Sequence, residues 1–163
     1  MRILKRIIVF IGIVSLPLTL GWFTKINDIE SNDEENETEK VNEFHYGYDW
    51  SDLIYAISEI ESKHDTTAVS RNKRYYGHLQ ISMIMVKEAN QICGTKRYTS
   101  NDRFNKEKSE EIFYLIQRKY NPNNNIEKAI RIWNDGPKYS IRKTNGYYRR
   151  VMKAYNRRLE SNT

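Results

Sequence analysis

Ser51-Asp52-Leu53-Ile54-Tyr55-Ala56-Ile57-Ser58-Glu59-Ile60-Glu61-Ser62 is the stretch on which the fold turns. Leu53, Ile54, Ile57 and Ile60 recur at helical spacing, and Ser51 or Asp52 is placed to cap the first turn. The helix is expected to end near Lys63. Positions 54, 57 and 61 fall on one face, so Glu61 continues the stripe begun by Ile54 and Ile57. Glu59 lies about 200° away and is expected in solvent. A carboxyl at the edge of an apolar face is partly desolvated, which raises its pKa and suits it to proton donation near neutral pH. A second reading of the same residue is a glutamate extended from a helix end into water.

Downstream, four more segments read as helices. They run from Ser82 to about Gln91 with Gly94 as the stop, from Lys106 to Tyr120, from Ile126 to Trp133, and onward from about Asn145. In the Lys106 segment Ile112, Phe113, Ile116 and Tyr120 share a face, and Pro122 ends it. In the final segment Tyr148, Val151, Tyr155 and Leu159 recur at helical spacing. Period-two runs of β-branched residues are absent, so the expected class is all-α, with at most a short hairpin near Arg71–Ile81.

Upstream the composition changes. Arg2, Lys5 and Arg6 precede an uncharged apolar run from Ile7 to Phe23. A basic start before an apolar stretch is the signature of export, and residues 1–25 read as a signal peptide or an N-terminal membrane anchor. Residues 26–45 hold eight acidic side chains and few apolar groups to offset ordering entropy; they read as an acidic disordered linker. Residues 46–163 form the expected single domain. Over residues 44–163 there are 22 basic and 13 acidic side chains, a net +9, which draws the domain to polyanions: nucleic acid, anionic lipid or acidic wall polymers. A nucleic-acid-binding domain would have to remain inside the cell, against the export signature. The single cysteine, Cys93, excludes an intrachain disulfide framework. His45, His64 and His78 show no ligand spacing, so no metal and no cofactor are expected.

Two further segments stand out. Tyr75-Tyr76-Gly77-His78-Leu79-Gln80-Ile81 sets a glycine and a glutamine among aromatic and apolar residues. It reads either as backbone close to a sugar ligand or as a hairpin with Leu79 and Ile81 in the core. Ile132-Trp133-Asn134-Asp135-Gly136-Pro137 puts an asparagine at a helix end, where it serves a ligand or only the turn. Twelve tyrosines suit a wet carbohydrate surface and equally a nucleic-acid surface.

Taken together, the segments resemble the soluble lytic transglycosylase family of the lysozyme superfamily, over about residues 51–155. Glu61-Ser62 resembles the family's Glu-Ser at the end of the catalytic helix, and Ala68-Val69-Ser70 its Ala-x-Ser. Gly77-His78-Leu79-Gln80-Ile81 is similar to its Gly-Leu-Met-Gln-Ile segment. Trp133-Asn134-Asp135-Gly136-Pro137 is similar to Tyr-Asn-x-Gly-Pro, and Thr144 with Tyr147–Val151 to its closing helix. The sequence departs from the family at His64, where an aromatic is usual, at Thr66, where proline is common, and at His78-Leu79. The stretch Arg71–Tyr76 is basic and slightly long.

The resemblance implies a lysozyme-like fold and a peptidoglycan lytic transglycosylase. Such an enzyme cuts the β-1,4 bond from N-acetylmuramic acid to N-acetylglucosamine and leaves a 1,6-anhydro end. It implies Glu61 as acid and base, Ser70 holding the C6 hydroxyl or a nearby water, and Tyr147 positioning Glu61. It implies Gln80, Asn134, Trp133 and Ser62 around the sugar. The expected setting is the periplasm or cell envelope. The expected partner is the glycan strand, with an envelope-spanning machine as a further one. The alternatives are a hydrolytic muramidase on the same fold, with Asp65 or Asp135 as second acid, and a non-catalytic wall-binding component.

Overall fold

A computed structural model describes residues 47–163, and the expected export segment and acidic linker lie outside them. Among the described residues the chain is mostly helical. It runs α1 (Ser51–Ser62), β1 (Tyr75–Tyr76), β2 (Ile81–Ser82), α2 (Met83–Cys93), a 3-10 turn (Asn101–Phe104), α3 (Lys106–Tyr120), α4 (Ile126–Asp135) and α5 (Ile141–Ser161). The hairpin expected near Arg71–Ile81 is one antiparallel pair, with Tyr75 opposite Ser82 and Tyr76 opposite Ile81. No described helix is long and apolar enough to cross a membrane.

The first turn of α1 is not capped by Ser51 or Asp52. Trp50 occupies the cap position without a side-chain bond, and Asp49 Oδ1 accepts from the Ser51 N–H at 2.8 Å. Trp50 is buried and donates its backbone N–H to the Tyr114 hydroxyl at 3.2 Å, so the helix start is anchored by packing onto α3. The other end is set by two consecutive left-handed residues, Lys63 (φ 57°) and His64 (φ 67°). Their N–H groups return to the Glu59 and Ser58 carbonyls and close the helix immediately after Glu61-Ser62. Neither is glycine, so the stop carries local strain that its surroundings must hold.

The core gathers Leu53, Ile54 and Ile57 from α1, Leu79 and Ile81 from the hairpin, Ile112, Phe113 and Leu115 from α3, Ile130, Ile132 and Trp133 from α4, and Val151 from α5. Each fully buried aliphatic side chain contributes about 1.5–3 kcal/mol. Helix α5 starts at Ile141, four residues before the expected position. Arg131 is the reason: its guanidinium, buried on α4, donates to Thr144 Oγ1 at 2.7 Å and to the Ile141 carbonyl at 3.2 Å, pinning the first turn. The buried stripe of α5 is Thr144, Tyr147, Val151 and Ala154. Tyr148 and Tyr155 flank it half-buried and Leu159 is exposed. The expected stripe was thus rotated: small Thr144 and Ala154 occupy buried positions on α5, which packs against α1 and α4, while amphipathic tyrosines keep their hydroxyl ends near water.

Candidate active site

Glu61 stands in the last turn of α1, half-buried, on a cavity of about 250 Å³ that it shares with Tyr75, Gln80, Met85, Trp133 and Asn134. Removal from water pushes its carboxyl above the ordinary glutamate value, while the Tyr147 hydrogen bond and the Arg150 charge pull the other way without overcoming it. The Tyr147 hydroxyl donates to Glu61 Oε1 at 2.6 Å, across 86 positions of sequence. Tyr147 is only 7% exposed, and burial together with the neighbouring carboxyl holds its own pKa well above the usual phenol value. It therefore acts as a fixed donor that keeps one oxygen of Glu61 oriented.

Gln80 reaches the same cavity through an unusual backbone. Its φ is 50°, left-handed without being glycine, and its N–H closes a turn onto the Gly77 carbonyl at 3.0 Å. Its side-chain NH₂ also donates to the Gly77 carbonyl, at 2.8 Å, which fixes the amide plane. Gly77 permits this turn for a steric reason. A Cβ there would sit 1.7 Å from the Arg103 carbonyl oxygen, so the 3-10 turn closes directly on bare backbone. Arg103 then lies over the Tyr76 ring at 3.9 Å and bonds the Ser100 carbonyl, locking hairpin to turn.

Trp133 is 5% exposed. Its Nε1–H donates to the Leu79 carbonyl at 3.3 Å and its ring packs on Phe113, so it forms a wall of the cavity and ties α4 to the hairpin. Asn134, one residue on, is exposed and lines this cavity and a second one of about 360 Å³. The two share Tyr75, Met85 and Trp133 as well, making one continuous groove past Glu61.

Ser62 and Ser70 are placed differently. The Ser62 hydroxyl donates to the His78 carbonyl at 2.9 Å and fastens the end of α1 to the hairpin. The Ser70 hydroxyl donates to Asn72 Oδ1 and accepts from the N–H groups of Arg74 and Tyr75. It organises the loop before β1 and does not line either part of the groove. Of the two acids weighed as a second carboxylate, Asp65 is exposed, outside the groove, and held below the usual aspartate value by its bonds from Thr67. Asp135 lines the outer cavity, with Oδ2 accepting from the Ser140 N–H.

Met85 and Glu88 also line the groove and were not singled out from the sequence, and Tyr120, read there only as part of the apolar face of α3, lines it too. Glu88 Oε1 accepts from the Lys119 ammonium and the Tyr120 hydroxyl, which lower its pKa. The available signal was the spacing of Met85 and Glu88 on one face of α2, visible only once the groove is known. Among the described residues no cluster of side chains is arranged to hold a metal ion. No family model matches the chain, and neither a curated protein nor a solved structure matches it.

Proposed function

We propose that the chain is a lysozyme-like peptidoglycan lytic transglycosylase, exported to the cell envelope, with Glu61 as general acid and base. The observation that carries this reading is a carboxyl of raised pKa, oriented by a buried tyrosine and opening onto a groove with a glutamine and an asparagine. A protonated Glu61 gives its proton to the glycosidic oxygen as the bond from C1 breaks. The N-acetyl carbonyl oxygen of the same sugar bonds to C1 and spreads the positive charge. The Glu61 carboxylate then takes the C6 hydroxyl proton, O6 displaces the acetamido oxygen at C1, and the 1,6-anhydro ring closes with Glu61 again protonated. One carboxyl suffices for this substrate-assisted course. Gln80 and Asn134 offer amide groups to the N-acetyl sugar, and Tyr75 offers a ring at the point where the two cavities meet. Glycan strands are the substrate, and an envelope-spanning machine is a fitting partner for an enzyme that opens the wall locally.

A hydrolytic course on the same groove has one observation in its favour, the placement of Asp135 on the outer cavity. Mass spectrometry of products from purified sacculi separates the two. Anhydro ends are expected, and reducing ends would replace ring closure by water attack. Glu61→Gln is expected to lower product release by about 10²–10⁴-fold with the fold intact, the usual contribution of a positioned general acid. Unchanged release would remove Glu61 from the reaction.

A further inference from the structure

Helix α5 carries two kinds of cation. Towards its C-terminal end Arg157 and Arg158 are ion-paired to Glu59 and Asp52 of α1. Towards its N-terminal end Arg142, Lys143, Arg149 and Arg150 are exposed, and none of them is ion-paired among the described residues. Arg142 and Lys143 stand in the first turn, where the helix dipole disfavours positive charge, and no acid is present there. Grouping four like charges within about two and a half turns opposes the helix, so folding alone does not account for them.

The four share one centre. On a helix surface the neighbours of a position are the residues three and four away, and for Gly146 these are Arg142, Lys143, Arg149 and Arg150. Glycine is, proline apart, the least favourable residue in a helix interior. Packing does not demand it here. Gly146 is exposed, and apart from the helix backbone and the adjacent residues only Arg150 Nη1, at 3.9 Å, approaches the place of a Cβ. That contact also gives the direction of Arg150, which leans back over Gly146 with its guanidinium 5.9 Å from the Tyr147 ring. Bare backbone ringed by cations lets an anion come close.

The geometry narrows the anion. A carboxylate presents both oxygens in one plane and meets only part of the ring. A phosphate directs its oxygens tetrahedrally, carries more charge, and matches the guanidinium fork. We infer that Gly146 and its four flanking cations bind a phosphate group, free or esterified. Arg142 and Lys143 hold it from the first turn, and Arg149 and Arg150 from the turns beyond. The site is independent of the Glu61 reaction, and its test requires no glycan cleavage.

The test follows the Gly146 and Arg149 amide signals of the isotope-labelled full chain by NMR at constant ionic strength, with inorganic phosphate, glycerol phosphate and acetate as probes. Saturable movement is expected with both phosphates at millimolar concentration or below, and acetate is expected to bind at least tenfold more weakly. Tighter glycerol phosphate assigns the site to an esterified phosphate, and tighter inorganic phosphate to the free ion. Arg149→Gln is expected to weaken phosphate binding about tenfold, the loss of one charge-assisted hydrogen bond. Arg157→Gln removes the same charge from the paired half of α5 and is expected to leave the affinity unchanged. Gly146→Ala is expected to raise the melting temperature, because alanine favours the helix, and still to weaken phosphate binding about tenfold. An equal response to acetate, movement without saturation, equal losses in Arg149→Gln and Arg157→Gln, or undiminished binding in Gly146→Ala would overturn the inference.

Discussion

The Glu61 carboxyl is set by its burial and by two neighbours, and both neighbours can be varied. Burial raises its pKa, and the Tyr147 hydroxyl and the Arg150 charge lower it. In the proposed reaction the protonated form is the one that donates, so activity is expected to fall as pH rises through that pKa. Tyr147→Phe removes a lowering contact and leaves burial in place. The alkaline limb of the kcat profile is therefore expected to move to higher pH, with kcat at the optimum down roughly tenfold from lost orientation, the equivalent of about one hydrogen bond. Arg150→Gln is expected to shift the limb in the same direction without that loss of orientation. A limb that stays put in both variants, measured by turnover against pH, would show that another group sets it. The position of Glu61 on an apolar stripe was legible from spacing alone, because helix geometry converts sequence interval directly into direction. That neither His78 ring nitrogen has a hydrogen-bond partner among the described residues was not, since three other elements determine what faces that ring.

At the scale of elements, the decisive joint is the hairpin against the 3-10 turn. Gly77 has φ 74° and no room for a side chain, and Gln80 depends on the turn it opens. Gly77→Ala is expected to cost about 3 kcal/mol or more, since the obstructing atom is backbone and cannot rotate away. Thermal unfolding would measure it, and a loss under about 1 kcal/mol would mean that the turn slides aside more easily than its contacts suggest. Helices α2, α3 and α4 were readable because strong stops flank them: Gly94, Pro122, and Gly136-Pro137. The 3-10 turn and the first four residues of α5 were not readable. The turn is held by Arg103 reaching Tyr76 and Ser100, and the α5 start by Arg131 reaching Thr144, contacts made between elements rather than within them.

Across the whole molecule, charge is the property that acts at a distance. The net +9 of residues 44–163 is concentrated in part along α5, where Arg142, Lys143, Arg149, Arg150 and Lys153 are exposed. Sacculus binding by the full chain is expected to fall at least tenfold between about 50 and 500 mM salt, as the screening length shrinks from over 10 Å to a few ångströms. A pelleting assay reads this directly, and salt-independent retention would point to contacts inside the groove as the main attachment. Mostly helical architecture followed from period alone, while the two adjoining cavities needed side chains of α2, α4 and the hairpin brought to one place. That packing has a temporal side. The carboxyl of α1 and the phenol of α5 that steadies it are 86 positions apart, so a chain still leaving the ribosome carries the acid long before its clamp. The hydroxyl that orients this acid therefore reaches it only when the last helix docks.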